Sequence, residues 1–579
     1  MKKVLDVFLC LFLSILAIMG STLAFDYSLV MRILLFVIIL IISIIGKRKE
    51  KRTKWVSLIF SILYSFIYVL GSNVYDTGGI NSLYQNPLIL LDTVIAITGT
   101  SYLLYLINYY LFYLIDKYKI KTRESKLLNK SYIFLYIWLI IFLLWIPCFL
   151  SYYPGIYSYD ITKQVNEVFN VSYSKFHPPI HTGIVALMFF IAGKLHIQMI
   201  SVYGIIQMLL LSYAVTKMLK FIYTKMRNKI YFIIAFVFLV INPVMPTISL
   251  IPAKDIYFTA FVLLLIPDLY ELIYNKNNFF NSKFNIIKLI FFSLMAMLFR
   301  NNASYVFIIF YIVLLILERK DKRVILLSIV PILLFFLVNN VLYSNLKIRD
   351  GNSREKLSLP IVQIAYVVER HADTMSDDEL KWIDKYIPVD KIESRFNPRL
   401  ADPVKSKFKT NNYDNNTLDF YKLYITLGSK YFEDYISAFL NLNIPYWYRD
   451  ASTIDPYSQR GYLETGIYNN HNYFFERASK MPKLYEFYEG FATYETQSKY
   501  FILDRLYSLS LPIWLLIFMM FVAILKKQYK NILIMLPLVL LWLTYLLGPV
   551  SNFRYIIPLY VMYPTIMYFI LRTKEDATS

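Results

Sequence analysis

Two short polar stretches interrupt a part of the chain that is otherwise apolar. The stretch YYPGIYSYD at 152–160 ends on Asp160, and FHPPIHTG at 176–183 contains His177 and His181. A carboxylate beside a substrate hydroxyl can accept its proton, which contributes about 10²- to 10⁴-fold to a reaction rate. The alternative is that Asp160 caps the helix predicted for ITKQVNEVF, which is a common role for Asp. The residues alone leave both interpretations open.

The two histidines lie four residues apart, as two metal ligands on one face of a helix would. Pro178 and Pro179 come between them and prevent a helix before Pro179. A zinc site also needs further ligands, and no third ligand lies nearby in the sequence. The pattern therefore favours a helix that starts at the prolines, with His177 as a polar lining residue, and we assign no metal ligand.

Cationic residues stand at the ends of three later apolar runs. Lys254 and Asp255 open a helix after PVMPTISLIP; the acid complements the helix dipole, whereas the lysine opposes it and is better explained by a bound anion. Arg300 in LFRNNASY and Arg554 in GPVSNFRYIIP could extend to the membrane surface along their apolar stems. They could equally stabilise the charge of a phosphate leaving group.

The composition indicates a polytopic membrane protein. Of the 579 residues, 58% are hydrophobic and only 17% are charged, which is too apolar for a soluble protein of this length. The formal charge of +21 comes mainly from short basic loops that flank apolar runs. Such loops set topology and contact anionic lipid headgroups, so we expect no nucleic-acid partner. Cys10 and Cys148 fall in predicted spans and predict no disulfide.

By the positive-inside rule, the basic loops at 47–55 and 117–126 lie in the cytoplasm. The first span is expected to act as a signal anchor. Segments 151–180 and 346–503 are then extracytoplasmic. Parity requires an odd number of crossings between 180 and 217, so one of the two apolar segments there is expected to be re-entrant or interfacial. The ionisable residues next to spans collect at the outer ends: Asp160, Lys254, Asp255, Arg300 and Arg554.

The order of these motifs resembles a known superfamily. PGIYSYDITKQ, HPPIHT, the KD pair, RNN, REKLSLPIVQIAYVV and FRYIIPLY together resemble bacterial polytopic glycosyltransferases of the GT-C superfamily, in a Gram-positive branch. The similarity covers roughly 130 to 571. It implies an all-α GT-C-like bundle of about 13 transmembrane helices with a mainly α extracytoplasmic domain.

The resemblance also implies site residues. Asp160 takes the place of the catalytic acid, and Lys254, Arg300 and Arg554 take the place of the cations that bind the donor phosphate. The residues expected to line the substrate are Tyr159, Gln164, His177, His181, Asp255 and Asn301. Unlike many members, this chain places four spans before the catalytic loop and carries a lone acid there. The use of a divalent cation is therefore left open.

Four regions are expected: accessory transmembrane helices at 1–128, a GT-C-like core at 129–345 with the catalytic loop at 151–180, an extracytoplasmic domain at 346–503, and C-terminal helices with a cytoplasmic tail at 504–579. The resemblance implies an inverting glycosyltransferase of the bacterial plasma membrane. It would move a sugar from an undecaprenyl-phosphate carrier to a cell-envelope glycan on the outer face. The alternatives are a lipid-linked glycan flippase or exporter, a glycan polymerase or ligase, and a non-catalytic envelope scaffold.

Overall fold

The computed structural model describes residues 2–24, 28–45, 50–451 and 478–572. Within these residues the chain is helical, and its only β pairing consists of isolated bridges. The predicted all-α class is confirmed. Helices α1 to α4 are Lys2–Ala24, Leu29–Ile45, Lys51–Thr77 and Pro87–Lys117.

The core region that follows is built from twelve helices. They are α5 Ile133–Ser151, α6 Tyr159–Phe169, α7 Pro179–Leu195, α8 Met199–Met226, α9 Lys229–Phe236, α10 Val244–Ile248, α11 Lys254–Tyr274, α12 Lys276–Phe280, α13 Lys283–Phe299, α14 Asn301–Leu317, α15 Lys322–Phe336 and α16 Tyr343–Asn345. Short π-helical turns at Val237–Ile241 and Leu337–Leu342 extend α9 and α15. Helix α7 begins at Pro179, as the proline pair predicts.

The remaining described helices form an inserted group and a C-terminal group. The inserted group is α17 Ser358–His371, α18 Asp377–Asp384, α19 Val389–Arg395, α20 Asp402–Lys405, α21 Thr410–Asn415, α22 Thr417–Lys430 and α23 Phe432–Asn443. The C-terminal group is α24 Pro482–Ala492, α25 Glu495–Ser498, α26 Phe501–Leu506, α27 Leu511–Lys526, α28 Tyr529–Tyr545, α29 Phe553–Tyr560 and α30 Tyr563–Leu571.

Seven helical segments of the described chain are long and apolar enough to cross a membrane. They are Lys51–Thr77, Pro87–Lys117, Ile133–Ser151, Met199–Met226, Lys254–Tyr274, Lys322–Asn345 and Phe553–Leu571. Seven shorter apolar helices accompany them, among them α7. This composition indicates an integral membrane protein, because a spanning helix needs roughly 20 apolar residues. The larger number of crossings and the re-entrant segment stay predictions.

Two hydrophobic cores organise the chain. The larger one includes buried residues of α3 to α15 and of the C-terminal helices, and α11 lies at its centre with nearly every residue buried. A second core joins buried residues between Leu357 and Tyr435, and we call this region the inserted unit. Its helix α18 starts with a capping box, in which the Ser376 hydroxyl accepts from the backbone N–H of Glu379 and the Glu379 carboxylate accepts from the backbone N–H of Ser376.

Candidate active site

Asp160 lies in the first turn of α6, where the chain turns into the core. Ser158, with an extended backbone, occupies the N-cap position, and its hydroxyl donates to the carbonyl of Pro252 at 3.1 Å. The Asp160 carboxylate instead accepts a hydrogen bond from Lys254 Nζ at 3.2 Å through Oδ2. The interpretation of Asp160 as the helix cap is therefore wrong, because its carboxylate faces cations of other segments.

Lys254 is the first residue of α11, and a buried glutamine positions the segment before it. Gln207, in the middle of α8, donates from Nε2 to the carbonyls of Ser249 (2.8 Å) and Ile251 (2.7 Å). These carbonyls belong to an irregular stretch, in which the carbonyl of Ile251 also accepts from the backbone N–H of Ala253 at 2.8 Å. The Gln207 side chain thus fixes where α11 begins and where Lys254 meets Asp160.

Arg300 pairs with Asp255 in the interior. Its backbone is extended between α13 and α14, and Nη1 lies 2.6 Å from Asp255 Oδ1. The guanidinium group lies over the rings of Tyr545 and Tyr555, with its carbon 4.9 and 5.1 Å from their centroids. Because Arg300 is 7% and Asp255 1% exposed, the alternative that Arg300 extends to the membrane surface is wrong.

Arg554 connects the two carboxylates. It lies in the first turn of α29, where the side chain of Asn552 accepts a hydrogen bond from its backbone N–H. Arg554 Nη1 is 3.6 Å from Asp160 Oδ2, and Nε is 3.7 Å from Asp255 Oδ2. We call Asp160, Lys254, Asp255, Arg300 and Arg554 the charge cluster. Its three cations and two carboxylates leave one positive charge in excess.

The charge cluster is partly exposed at Asp160 and Lys254. The side chains of Asp160 and Lys254 are 21% and 22% exposed, whereas Asp255 is enclosed behind them. Burial alone would raise the pKa of Asp160, but the positive charges of Lys254 and Arg554 outweigh it and hold that pKa well below its usual value. Asp160 is therefore a carboxylate, and an incoming anion can reach Lys254 from the open side.

His177 adjoins the cluster as a neutral group. Its Nδ1 lies 3.1 Å from Lys254 Nζ, which can only donate, so Nδ1 accepts and the ring proton belongs on Nε2. Burial, and next the charge of Lys254, lowers the pKa of His177 to about 3. A neutral imidazole beside Lys254 orients the ammonium group without adding charge to the cluster.

His181 and Gln164 form a separate buried network. His181 Nδ1 is 2.8 Å from Gln164 Oε1, and Nε2 is 2.7 Å from the Tyr203 hydroxyl, so both ring nitrogens have partners. Gln164 in turn donates to Thr182 at 2.9 Å. This network joins α6, α7 and α8 behind the cluster. In the described ranges, no group of three or more His, Cys, Asp and Glu side chains could hold a metal ion.

Of the predicted lining residues, Asp255 is part of the cluster, His177 adjoins it, and Gln164 and His181 lie in the separate network. Asn301 is exposed at the start of α14, and it is Asn302 that contacts Arg300, accepting from Nε at 2.9 Å and donating to Thr544 at 2.6 Å. Tyr159 begins α6, but its side chain lies outside the part of the chain that the structure describes. The sequence did not predict the roles of Gln207 and Asn302. Gln207 could have been found as a polar residue within an apolar run, and Asn302 as part of the RNN motif.

The fold and the cluster together define an all-helical membrane protein with a half-open charge cluster at the ends of its helices. The chain belongs to a family of unknown function, DUF6020, whose model matches residues 189–579. Four of the cluster residues lie within the matched segment, and Asp160 precedes it. No curated protein and no solved structure matches the chain.

Proposed function

We propose that the protein is a GT-C-type glycosyltransferase that takes a sugar from a polyprenyl-phosphate carrier and transfers it to a cell-envelope glycan. The observation that carries this proposal is the charge cluster, in which a carboxylate of the first turn of α6 contacts two cations that belong to α11 and α29. A base and the cations that would bind a phosphate leaving group thus occupy one partly open position. Such preorganised charge is the usual means of stabilising a phosphate in the transition state.

The donor phosphate would bind Lys254 and Arg554. Lys254 is partly exposed, and the excess positive charge of the cluster favours a monoanion or dianion. The buried pair of Arg300 and Asp255 would act as a support, because Asp255 also contacts Arg554. The polyprenyl chain would lie along the apolar helices. This arrangement requires no nucleotide.

Asp160 would serve as the base. The acceptor hydroxyl gives its proton to the Asp160 carboxylate as the oxygen attacks the anomeric carbon from the side opposite the phosphate. The bond between that carbon and the phosphate oxygen breaks, and the electron pair leaves with polyprenyl phosphate. Lys254 and Arg554 hold the pKa of Asp160 low, so a phosphate that engages these cations would raise its basicity when the donor arrives.

The site would face the outside of the plasma membrane. The basic loops at 117–126 and 318–323 then lie in the cytoplasm, as the positive-inside rule favours. The starts of α6, α11 and α29 and the junction of α13 with α14 share one level of the molecule, because the cluster joins them. An extracytoplasmic position suits a lipid-linked donor.

The test is transfer from labelled undecaprenyl-phosphate sugars to cell-envelope acceptors by the purified full-length protein. Asp160→Asn is expected to lose about 10²- to 10⁴-fold in rate. Its thermal unfolding is measured beside that of the wild type, because the substitution also removes the carboxylate that pairs with Lys254 and Arg554. Asp373→Asn, at an exposed acid of the inserted unit, serves as the matched control and should retain activity.

Full activity in Asp160→Asn would refute the assignment of the base. An inactive wild type, with donors that a known transferase uses, would contradict the proposal as a whole. The flippase or exporter, the polymerase or ligase, and the scaffold would then be the functions to test.

A further inference from the structure

An open cleft of about 470 Å³ lies beside the charge cluster, between α6 and the start of the inserted unit. Backbone hydrogen bonds hold its wall: Arg349 N–H donates to the carbonyl of Tyr173 at 3.1 Å, and Lys175 N–H donates to the carbonyl of Arg349 at 2.8 Å. The Arg349 guanidinium also donates to the Ser172 hydroxyl at 2.5 Å. The cleft is therefore a built feature that joins two parts of the chain.

The lining of the cleft mixes hydrogen-bond donors and acceptors. Asn166, in α6, and Asn170, at the C-cap of that helix, are four residues apart and exposed, and each amide offers both a donor and an acceptor. The ring of Phe176 adds an apolar surface, with Lys163 Nζ 4.5 Å from its centroid. Hydroxyl groups also donate and accept, so this lining matches a polyol better than an aliphatic or purely anionic ligand.

The acids of the cleft already have partners. Glu167 Oε1 accepts from the Ser174 hydroxyl at 2.5 Å, and Glu355 Oε2 lies 2.8 Å from Lys405 Nζ. Arg354 in turn lies 3.5 Å from the other oxygen of Glu355. Three cations, Lys163, Arg349 and Arg354, face these two acids, so the lining carries one positive charge in excess. That excess disfavours a cationic ligand, and recognition rests mainly on the amide and hydroxyl groups of the cleft.

A continuous series of contacts connects the cleft to the charge cluster. The ring of Phe176 meets the ring of His177 edge to face at 4.6 Å, and His177 contacts Lys254. Asp160 and Asn166 belong to the same helix, so they stand about 9 Å apart along its axis. Because Asp160 is not among the lining residues, a chain-like ligand must extend past the cleft by about this distance for its end to reach Asp160.

We propose that this cleft binds the acceptor, a neutral and hydroxyl-rich carbohydrate chain, and directs its terminal hydroxyl to Asp160. This inference rests on the proposed function for the identity of the reaction, but not for the binding of the glycan. The cleft would bind the acceptor and not the donor, because the donor phosphate would bind Lys254 and Arg554.

The experiment compares the wild type with Asn166→Ala/Asn170→Ala, both as full-length protein in detergent. The probes are tetramers of glucose, galactose, rhamnose and N-acetylglucosamine, measured by direct binding. The matched control is Asn411→Ala/Asn415→Ala, which removes two exposed amides at the same spacing in α21. We expect at least one tetramer to bind, and its affinity to fall roughly tenfold or more in the α6 variant alone.

Binding of no tetramer, equal affinity in the α6 variant, or affinity that falls steeply with added salt would overturn the proposal, since a neutral ligand is insensitive to screening. Transfer kinetics separate this result from the proposed function. If the wild type transfers sugar, the α6 variant should raise the acceptor KM and leave the donor KM unchanged. If the wild type binds glycan in the cleft but transfers nothing, the proposed function fails and the binding site stands.

Discussion

Acids and bases pair in two different ways in two regions of this molecule. In the inserted unit, Lys430 meets Glu379 at 2.6 Å and Lys409 meets Asp384 at 3.0 Å, each as a pair of partly exposed side chains. In the charge cluster, Arg554 contacts two carboxylates, and each carboxylate contacts two cations. The first arrangement is local, and the second depends on four separate parts of the chain.

The difference concerns what each arrangement does for the fold. Exposed pairs contribute little to stability, because water solvates the separated charges almost as well. Buried charges carry a desolvation penalty that apolar residues of similar size avoid, so a cluster of this kind is weak evidence for stability alone. A buried cluster with an open side and excess positive charge is better explained by binding, and the following substitutions test that distinction.

The largest effect is expected at the enclosed end of the cluster. Asp255→Asn leaves Arg300 buried without its closest carboxylate, and we expect a loss of about 3–5 kcal/mol in the free energy of unfolding. Asp255→Leu/Arg300→Met removes both charges and should recover much of that loss. The coupling comes from thermal or denaturant unfolding in detergent of the wild type, Asp255→Leu, Arg300→Met and the double variant; strictly additive effects would contradict the pair.

Next in size is the loss of the group that joins the two carboxylates. Arg554→Gln is expected to lower the transfer rate by about 10²- to 10³-fold, because a donor to the phosphate is missing. Arg554→Lys should recover only part of the lost transfer rate, since one ammonium group cannot reproduce the guanidinium nitrogens that reach both Asp160 and Asp255. Arg395→Lys, at an exposed arginine of α19, is the control. Full activity in Arg554→Lys would show that charge alone suffices.

A smaller effect should appear as a dependence of stability on pH. The pKa of His177 is lowered to about 3 in the folded protein and is about 6.5 in the unfolded chain. Between these values the unfolded chain binds the extra proton, so stability is lost as pH falls. Between pH 7 and pH 5, we expect the free energy of unfolding of the wild type to fall by roughly 2 kcal/mol more than that of His177→Gln. His196→Asn, at an exposed histidine, should keep the wild-type slope; an unchanged slope in His177→Gln would refute the assignment.

The smallest effect is expected in the inserted unit. Lys430→Met breaks the exposed pair with Glu379, and we expect no measurable change in the midpoint of unfolding or in transfer. The unfolding of Asp255→Asn, measured in the same detergent, provides the comparison. A clear shift in Lys430→Met would show that surface pairs of the inserted unit matter more than the buried cluster suggests.

Much of the local structure could be predicted because its causes are local. Apolar runs long enough for a membrane became α3 to α5, and Pro179 begins α7 as the proline pair predicts. The capping box of Ser376 and Glu379 is likewise a local pattern. Residues 417–443 form two helices, α22 and α23, since the chain departs from helical geometry at Tyr431. A hydrophobic period does not reveal such a break, because Leu427 of α22 and Tyr435 of α23 both join the second core.

The amino-acid sequence by itself determined where the helices begin and that Asp160, Lys254, Asp255, Arg300 and Arg554 stand at helix ends. Hydropathy, proline geometry and capping act over a few residues, so they can be read along the chain. Only the tertiary structure decided that Arg554 contacts both acids, that Gln207 holds the segment before α11, and that His181 belongs to a separate network with Tyr203. Those contacts join residues far apart in the chain, and the packing of whole helices sets their geometry.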